Sequence, residues 1–315
     1  ETIKLHPVLT GILKKRGCQT AEDIEEFLSP IPRKTYDPFA MKGMREAVDL
    51  VLQHIEDGKK ICIYGDYDAD GVTSVSLLYE FLSNLTRNVI YYIPSRFSEG
   101  YGLNLSAIDE IHRRGADLIV TVDCGCVSYR EVEHIKELGM KAIVTDHHNV
   151  DGRSPDCIML NPKQTDDTYP FSYLCGCGVA FKLTQGLQRT LKLPKNDINC
   201  LLDMVCVATI GDIVPLVDEN RTLVKYGFDR GERPGLKMLI EGIGMDPSKL
   251  TSTNVAFGIV PHINAAGRMK EAAEGVRLLT GRQDEEISSL VEELKTLNAQ
   301  RKSIQDRIFE RAREA

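Results

Sequence analysis

Three aspartates at alternate positions follow a short apolar run near residue 61. Asp66, Asp68 and Asp70 come after the run 61–64, whose composition predicts a buried β-strand, and Gly71 closes the stretch. Two like charges about 4 Å apart repel by roughly 4 kcal/mol at an effective dielectric of about 20. A divalent cation bound between the carboxylates would offset that repulsion. The alternative interpretation is an acidic, solvated turn, because Asp and Gly are ordinary turn residues.

Aspartates, in one case followed by two histidines, also come directly after two later apolar runs. Asp123 follows the run DLIVTV, and the triplet Asp146-His147-His148 follows the run KAIVT. These runs alternate with amphipathic segments, a pattern that predicts parallel strands connected by helices. Ligands of such sheets bind beyond the carboxyl ends of the strands. Acids and histidines at three strand ends therefore predict a metal site at that edge of the sheet.

A mixed set of aspartates and histidines favours Mn²⁺ or Mg²⁺ as the bound metal. Cysteines occur twice as C-x-C, whereas structural zinc typically uses C-x2–4-C spacing, which disfavours zinc held by thiolates. Several acids, at least one of them shared, can hold two ions roughly 3.5–4 Å apart, and such a pair clamps the attacking and leaving oxygens of a phosphoryl displacement. The expected substrate is a phosphodiester or a phosphoanhydride. We expect His147 on a metal and His148 toward the phosphate or the leaving oxygen.

Other residues extend this candidate site. Asp212 follows a long apolar segment and is either the cap of a helix end or a further metal ligand, with the cap favoured on this observation alone. Arg96, with Tyr101 nearby, and Arg268 lie in glycine-containing stretches, where an arginine could hold phosphate and an aromatic ring could stack on a base. A surface arginine or a packed tyrosine is the alternative for each. The stretch GCGVAFK (176–182) resembles a phosphate-cradling loop but lacks the P-loop spacing.

These residues need a scaffold of alternating strands and helices. The sequence predicts an α/β fold class with a mostly parallel sheet and helices on both faces. A helical segment over 1–57 precedes the catalytic domain, 58–282, and one long helix over 283–315 follows it. The apolar stripe of this helix has no stop signal, so we expect it to connect to a further domain. The predicted strands are 61–64, 89–94, 117–125, 141–149 and 157–162, and predicted helices include 72–84, 105–115 and 129–139. Residues 171–192 are predicted to start with a glycine-rich turn and to continue as a helix.

The bulk composition is that of a globular protein. The chain has 315 residues, which suits one large or two medium domains. Its formal net charge of −7 argues weakly against a broad basic surface for nucleic acid, without excluding a local basic groove. The nine cysteines are scattered, and several lie in apolar runs, as expected of a reduced cytoplasmic protein. No apolar run approaches the ~20 residues of a membrane span and no signal peptide is apparent, so we expect no membrane association.

Seven stretches in order resemble the DHH phosphoesterase superfamily, which is named for the triplet at 146–148. Within that superfamily the chain is similar to the RecJ family of single-stranded-DNA-specific exonucleases, and the similarity covers nearly the whole chain. The triplet alone would be weak support, whereas seven ordered stretches argue against chance. They are GDYDADGVTS (65–74), PSRFSEGYGLN (94–104), VDCG (122–125), VTDHH (144–148), GCGVAFKL (176–183), DIVPL (212–216) and INAAGRM (263–269).

The resemblance implies an activity and a setting. RecJ-like enzymes degrade single-stranded DNA from its 5′ end to mononucleotides with Mn²⁺ or Mg²⁺, in DNA repair and recombination in the cytoplasm. For this chain the resemblance implies two bound metal ions and single-stranded DNA as the substrate. It further implies a single-strand-binding protein and a helicase as partners.

The resemblance also implies roles for individual residues. Asp68 resembles a ligand of one metal, Asp70 a ligand of the other, and Asp123 the acid that bridges them and is needed for catalysis. His148 resembles the catalytic histidine on the substrate side. The further residues implied are the metal ligands His147 and Asp212 and the substrate-binding residues Arg96, Tyr101, His262, Asn264 and Arg268.

The resemblance changes one interpretation, and the chain departs from the family pattern at two positions. Asp212 is now expected to bind metal rather than to cap a helix. Many DHH enzymes have a histidine four residues before the first ligand aspartate, where this chain has Tyr64, which leaves Asp66 or water to complete the coordination of that metal. RecJ proteins often have an arginine where His262 stands, so the phosphate contact expected there depends on a different side chain.

The family continues beyond the long helix into a smaller DHHA1 domain with a glycine-rich substrate motif, and then into an oligonucleotide-binding fold. No GGGH-like sequence occurs in this chain. We therefore expect a metal-binding catalytic core with weak or no processive activity.

Two other functions are alternatives: a DHH phosphodiesterase of short oligonucleotides or cyclic dinucleotides, and an inactive RecJ-like scaffold of DNA replication. All five candidate ligands are present, which argues against the scaffold.

Overall fold

The computed structural model describes residues 5–29, 31–229 and 233–314. Each predicted segment contains residues outside these ranges, so part of each prediction lies outside the described residues. The division of the chain into the segments 1–57, 58–282 and 283–315 stays a prediction. The residues outside the described ranges are 1–4, 30, 230–232 and 315.

A five-stranded parallel sheet forms the framework of the site. Its strand order is β2-β1-β3-β4-β5, and each neighbouring pair is parallel, so the carboxyl ends of all five strands lie at one edge. The predicted α/β class and the mostly parallel sheet are confirmed. The strands are β1 (Ile61–Gly65), β2 (Val89–Tyr92), β3 (Leu118–Val122), β4 (Lys141–Thr145) and β5 (Ile158–Leu160).

Fifteen α-helices lie within the described residues, and none of them is long and apolar enough to cross a membrane. A π-helical turn, Val255–Ile259, joins two of them, and short 3-10 turns cover Pro38–Ala40 and Pro247–Lys249. The helices are α1 (Pro7–Lys15), α2 (Ala21–Leu28), α3 (Met44–Glu56), α4 (Ala69–Ser83), α5 (Leu105–Arg113), α6 (Tyr129–Glu137), α7 (Gly176–Thr190), α8 (Asn196–Asn199), α9 (Leu202–Gly211), α10 (Asp218–Phe228), α11 (Pro234–Gly242), α12 (Ser252–Asn254), α13 (Val260–Met269), α14 (Ala273–Thr280) and α15 (Asp284–Glu314).

Helices cover both faces of the sheet because the strands are apolar on both sides. Ile61 and Ile63 of β1 pack in the larger core with α3, α4 and α7, whereas Cys62 and Tyr64 pack on the opposite face with α5 and α6. Alternate residues of a strand point to opposite faces, so one apolar run supplies both cores. The predicted helices on both faces are thereby confirmed.

Four of the five strands are shorter than predicted, and one helix begins earlier. The predicted strands 117–125 and 141–149 end at Val122 and Thr145, where the apolar run gives way to polar side chains. Aspartate is disfavoured inside a ladder, so Asp123 and the triplet at 146–148 lie in the loops beyond these two strands. Helix α4 begins at Ala69 rather than at residue 72 because the Asp68 side chain caps its first turn.

The predicted long C-terminal helix is present as α15, which has 31 residues. Its N-terminal half buries Ile287, Leu290 and Leu294 against α11, α13 and α14. Beyond Asn298 the helix is exposed, including Ile308 and Phe309. The near-heptad stripe predicted from the sequence therefore packs on the core over its first half only.

A buried ion pair holds the segment before the sheet against the core. Lys182 of α7 and Glu219 of α10 are fully buried, with Nζ and Oε1 2.5 Å apart. The Lys182 ammonium also donates to the carbonyl of Tyr36, and Glu219 accepts from the Tyr36 amide and the Tyr169 hydroxyl. Breaking a buried pair is costly because the remaining charge has no partner and little water.

We predict that Glu219→Gln lowers the free energy of unfolding by about 3–5 kcal/mol, because the buried Lys182 ammonium loses its counter-charge. Urea unfolding at pH 7, followed by circular dichroism, measures the change. Glu25→Gln, on the exposed face of α2, is the matched control and should leave the stability unaltered. A loss below about 1 kcal/mol for Glu219→Gln, the range of a surface pair, would contradict the role given to this pair.

Candidate metal centre and the adjoining cleft

The loop after β1 presents two of the candidate carboxylates. The Asp68 Oδ1 accepts from the amides of Asp70 and Gly71 at 2.9 and 3.1 Å, so the carboxylate faces the start of α4. Asp66 is buried, and its Oδ1 has no hydrogen-bond partner among the described residues. Any side chain at Gly71 would collide with the backbone carbonyl of Asp66, so glycine is required for this tight turn.

The first turn of α7 holds Asp70 by backbone amides. The amide of Gly176 donates to Asp70 Oδ2 at 2.7 Å, and the amide of Cys177 donates to Oδ1 at 2.8 Å. A helix N-terminus favours a carboxylate because its amides are unpaired and its dipole is positive there. The GCGVAFK stretch thus holds a protein carboxylate through the amides expected to cradle phosphate, and its Lys182 is buried against Glu219.

Asp123 follows β3 in a left-handed conformation, with φ of 60°. Its amide donates to the Thr145 carbonyl at 3.0 Å, which continues the β3–β4 ladder past the strand end. A Cβ at Gly176 would lie 2.5 Å from the Asp123 Cβ, so glycine is what lets the N-terminus of α7 approach this carboxylate. The Asp123 Oδ1 is buried without a hydrogen-bond partner among the described residues.

Asp146 positions the two histidines rather than facing the other acids. Its Oδ1 accepts from the amides of His147 and His148 at 2.7 and 3.1 Å, and its Oδ2 accepts from the Cys126 amide at 2.9 Å. Oδ1 also lies 2.7 Å from His148 Nδ1. Burial acts against ionisation, yet these donors lower the pKa of Asp146 to about 2, and the contact raises the pKa of His148. His148 is thereby oriented with Nε2 directed away from Asp146.

Four elements bring side chains to one buried point around His147. Its Nε2 lies 3.2 Å from Asp123 Oδ1, 3.7 Å from Asp70 Oδ2 and 3.7 Å from Asp212 Oδ2. Asp212 follows the last residue of α9. Three overlapping sets have ligand atoms within 4.8 Å of one another: Asp70, His147 and Asp212; Asp66, Asp68 and Asp123; and Asp123, His147 and His148. All five predicted metal ligands are therefore brought together.

Burial and mutual repulsion dominate the electrostatics of this cluster of carboxylates. Burial, with repulsion from Asp68, raises the pKa of Asp66 to about 7 and that of Asp212 to about 6. Burial and the neighbouring carboxylates also raise the pKa of both Asp70 and Asp123. A cation bound among the carboxylates would reverse these shifts.

The surroundings of the buried His147 also indicate a site for a cation. Burial lowers its pKa to about 4, so its imidazole is neutral, the form that binds metals. Both ring nitrogens lack a hydrogen-bond partner among the described residues, as do Asp66 Oδ1 and Asp123 Oδ1. Buried polar atoms without partners are rare in proteins and need an explanation. Oxygen and imidazole donors of this kind fit Mn²⁺ or Mg²⁺.

A cleft of about 170 Å³ adjoins the metal centre. The Arg96 guanidinium lies over the Tyr67 ring, and the Tyr101 ring makes edge contacts with Tyr67 and His148. Asn264 Oδ1 accepts from the Ala69 amide at 2.7 Å, which ties α13 to the start of α4. The lining residues are Asp66, Tyr67, Asp68, Arg96, Tyr101, Asn264 and Arg268, which include four of the five predicted substrate residues.

Tyr64 anchors the loop that carries Arg96 and Tyr101. The Tyr64 hydroxyl donates to the Gly102 carbonyl at 2.8 Å and accepts from Asn104 Nδ2 at 3.2 Å. The ring is fully buried in the core beneath that loop. The sequence resemblance leads one to expect a histidine at this position. In this chain the Tyr64 side chain instead fixes one wall of the cleft.

The fifth predicted substrate residue, His262, is not among the residues that line this cleft. Its Nδ1 is 2.6 Å from the Gly258 carbonyl, and its Nε2 is 3.1 Å from Nδ2 of the buried Asn298 of α15. Since the carbonyl can only accept, Nδ1 carries the proton and Nε2 accepts from Asn298. Arg301 Nε in turn donates to Asn298 Oδ1 at 3.0 Å. A direct contact of His262 with substrate stays a prediction.

Sequence reasoning placed Asp66 among the three acids expected to hold a cation, although the family resemblance left it only as a substitute ligand, and it missed Tyr67 and Asn161. Asp66 had a signal, since it is the first acid after an apolar strand. Tyr67 had none beyond its place between two aspartates. Asn161, which is fully buried and donates to the His148 carbonyl, follows β5 in a sequence that carries no recognisable motif.

We predict that Asp123→Asn raises the free energy of unfolding of the metal-free protein at pH 8 by roughly 1–3 kcal/mol, because it removes a buried charge without a partner. The folded-state pKa of Asp123 lies above the unfolded value of about 3.9, so between these two pKa values the folded protein binds a proton that the unfolded chain does not. The destabilisation caused by Asp123 therefore fades as the pH falls toward about 4, and the stability gained by Asp123→Asn should shrink with it. Chemical denaturation with chelator at pH 8 and pH 5 measures it, with the exposed Asp49→Asn as control. Equal stability of the variant and the original protein at pH 8 would contradict the repulsion.

We also predict that Asn298→Asp raises the pKa of His262, because a carboxylate would accept from Nε2–H in place of the amide donor. In the original chain burial and the nearby Lys302 and Arg301 charges lower this pKa. Titration of the imidazole resonances by NMR measures the shift, which should be about one unit or more. Asn298→Leu is the uncharged control. An unchanged titration would show that the two side chains are not in contact in solution.

Comparison with known proteins adds a family. Residues 60–209 match the model of the DHH family, N-terminal domain. The chain is 42% identical to the single-stranded-DNA-specific exonuclease RecJ of Bacillus subtilis (strain 168), over 99% of this chain and 39% of that protein. It is 36% identical to the protein of the same name from Escherichia coli (strain K12), over 96% of this chain and 54% of that protein. The chain thus spans about half the length of these curated relatives or less.

Two solved structures resemble the chain closely. The crystal structure of exonuclease RecJ bound to manganese matches with a TM-score of 0.80 and 36% identity, over 90% of this chain and 70% of that chain. The structure of RecJ in complex with Mn²⁺ from Thermus thermophilus matches with a TM-score of 0.81 and 34% identity, over 95% of this chain and 42% of that chain. The resemblance seen in the sequence is confirmed, and the chain belongs to the RecJ family of DHH proteins.

Proposed function

We propose that this chain is the catalytic core of a metal-dependent exonuclease that hydrolyses single-stranded DNA from its 5′ end to 5′-mononucleotides, in DNA repair and recombination. The observation that carries the proposal is the convergence of Asp70, Asp123 and Asp212 on the His147 imidazole, from four separate elements. The names of the RecJ relatives support single-stranded DNA as the substrate class. The adjoining cleft adds cationic and aromatic side chains suited to a nucleotide.

Two Mn²⁺ or Mg²⁺ ions are the proposed cofactors. The buried donor atoms without partners support this, as do the manganese and magnesium named for related RecJ structures. When bound, the two ions supply positive charge to the attacking and leaving oxygens of a phosphoryl displacement. The proposed ligands are Asp70, His147 and Asp212 for one ion and Asp66 and Asp68 for the other, with Asp123 shared between them.

The proposed substrate contacts follow from the geometry of the cleft. The guanidinium groups of Arg96 and Arg268 suit the forked binding of phosphate, and the half-exposed Tyr101 ring offers a face for a base. His148, held at Nδ1 by Asp146, presents Nε2 for a phosphate or leaving oxygen. Asn264 lies in the same cleft but holds the Ala69 amide, so it orients the wall as well.

Three further proposals rest on the family resemblance and the sequence. A single-strand-binding protein and a helicase are proposed as partners, and the cytoplasm is proposed as the location. The chain is proposed to consist of a helical segment, 1–57, a catalytic domain, 58–282, and a connecting helix, 283–315.

We predict Mn²⁺-dependent release of mononucleotides from 5′-phosphorylated single-stranded DNA, with duplex DNA and a dinucleotide tested alongside. Asp123→Asn should lower the rate ~100-fold or more, because even residues that only support metal ligands contribute 10–100-fold (roughly) to activity. Asp49→Asn should keep the original rate. The full-length Bacillus subtilis relative is the positive control for the assay.

The other outcomes separate the alternatives. Hydrolysis of the dinucleotide alone would favour a phosphodiesterase of short oligonucleotides. Inactivity despite bound Mn²⁺, both of this chain and of a longer chain that includes a DHHA1 domain, would favour a scaffold. Metal binding is measured independently by thermal unfolding, since a ligand at a hundredfold excess over its dissociation constant stabilises by ~2.7 kcal/mol.

A further inference from the structure

The turn that follows β5 is attached to the loop of the candidate histidines. The Asp146 amide donates to the carbonyl of Leu160, the last residue of β5, at 3.0 Å. Asn161 comes next and is fully buried, and its Nδ2 donates to the His148 carbonyl at 2.9 Å. The turn after β5 therefore lies at the same edge of the sheet as the metal centre.

The same asparagine fixes the backbone of Lys163. Asn161 Oδ1 accepts from the Lys163 amide at 2.9 Å, and the amide of Gln164 donates to the Asn161 carbonyl at 3.1 Å. The buried Gln164 side chain donates to the Met159 carbonyl at 3.0 Å. The backbone of Lys163 is held on both sides, so only its flexible side chain is free to reorient.

The Lys163 side chain carries a charge without a partner on the turn after β5. It is half-buried and forms no ion pair within the described residues. Lys163 follows β5 and Arg96 follows β2, which are the two outer strands of the sheet. The two cations therefore lie at opposite ends of the sheet edge that carries the metal centre, with Lys163 on the side of the loop that holds His147 and His148.

Two arginines lie in the cleft that adjoins the metal centre. Arg96 and Arg268 line the cleft with Asp66 and Asp68. Neither arginine forms an ion pair within the described ranges, although Arg96 contacts the Tyr67 ring. The carboxylate centre thus has unpaired cations on two sides, an arrangement suited to a polyanion that passes over it.

We propose that Lys163 binds a phosphate of single-stranded DNA on the side of the metal centre away from the Arg96–Arg268 cleft, so that the strand crosses the centre between these cations. The inference rests on the proposed function and adds a contact and a path to it. Lysine is a compact cation with rotatable donors, which suits a phosphate better than a base edge. Every nucleotide carries the same phosphate, so the contact adds affinity without sequence preference.

A different role for Lys163 makes a different prediction. If the ammonium served only to adjust the charge at His147 and Asp212, its removal would change Mn²⁺ affinity. If it binds phosphate, its removal weakens DNA binding and leaves Mn²⁺ affinity unaltered. The two roles are separated by measuring both affinities on the same variants.

The test compares Lys163→Gln, Lys163→Arg and Lys141→Gln in this chain. Lys141 lies on β4 at the amino edge of the sheet and is exposed, so it is the matched control. Fluorescence anisotropy measures binding of 5′-phosphorylated single-stranded oligonucleotides of two sequences over a range of salt, and calorimetry measures Mn²⁺ binding. For Lys163→Gln we expect DNA binding weakened about equally for both sequences, a salt slope smaller by about 0.7 and unchanged Mn²⁺ affinity. Lys163→Arg should restore binding, and any turnover by Lys163→Gln should show a raised KM with kcat retained.

Unaltered DNA binding by Lys163→Gln, or a loss matched by an equal loss of Mn²⁺ affinity, would overturn this inference while leaving the proposed function standing. An equal effect of Lys141→Gln would also overturn it, because the effect would then reflect net charge alone. If the original chain binds no single-stranded DNA, the proposed function fails and this inference fails with it.

Discussion

Repulsion between buried carboxylates is the constraint on which this structure depends. Asp70 and Asp123 approach the same imidazole nitrogen within 3.2–3.7 Å, in a place with little water. Such an arrangement opposes folding in the absence of a cation, and the raised pKa values of both groups express that cost. The fold offsets it locally, through the two amides at the start of α7 that hold Asp70.

The rest of the core keeps those offsetting groups in place. Helix α7 must approach Asp123 closely, which Gly176 permits, and it must not slide along the sheet. The buried pair of Lys182 and Glu219 ties the same helix to α10 and to the segment before the sheet. Stability far from the centre is therefore connected to its geometry through one helix.

The metal centre joins two structurally different halves of the chain. The sheet edge supplies Asp123 and His147, whereas the helical half supplies Asp212 after α9 and Arg268 on α13. Helix α13 is fixed near its middle by the Asn264 contact to α4 and also by α15, where Asn298 meets His262. A long helix that is exposed over its second half thus supports one wall of the cleft.

The sequence by itself determined the strands, their parallel arrangement and the acids and histidines at their carboxyl ends. It could do so because apolar runs and the residues that follow them are local patterns. Only the tertiary structure decided that Asp70 is held by Gly176, 106 residues away, and that Tyr64 anchors the loop of the cleft. No pattern in the sequence predicted that His262 contacts α15. These features depend on packing between distant segments, which no local pattern of residues encodes.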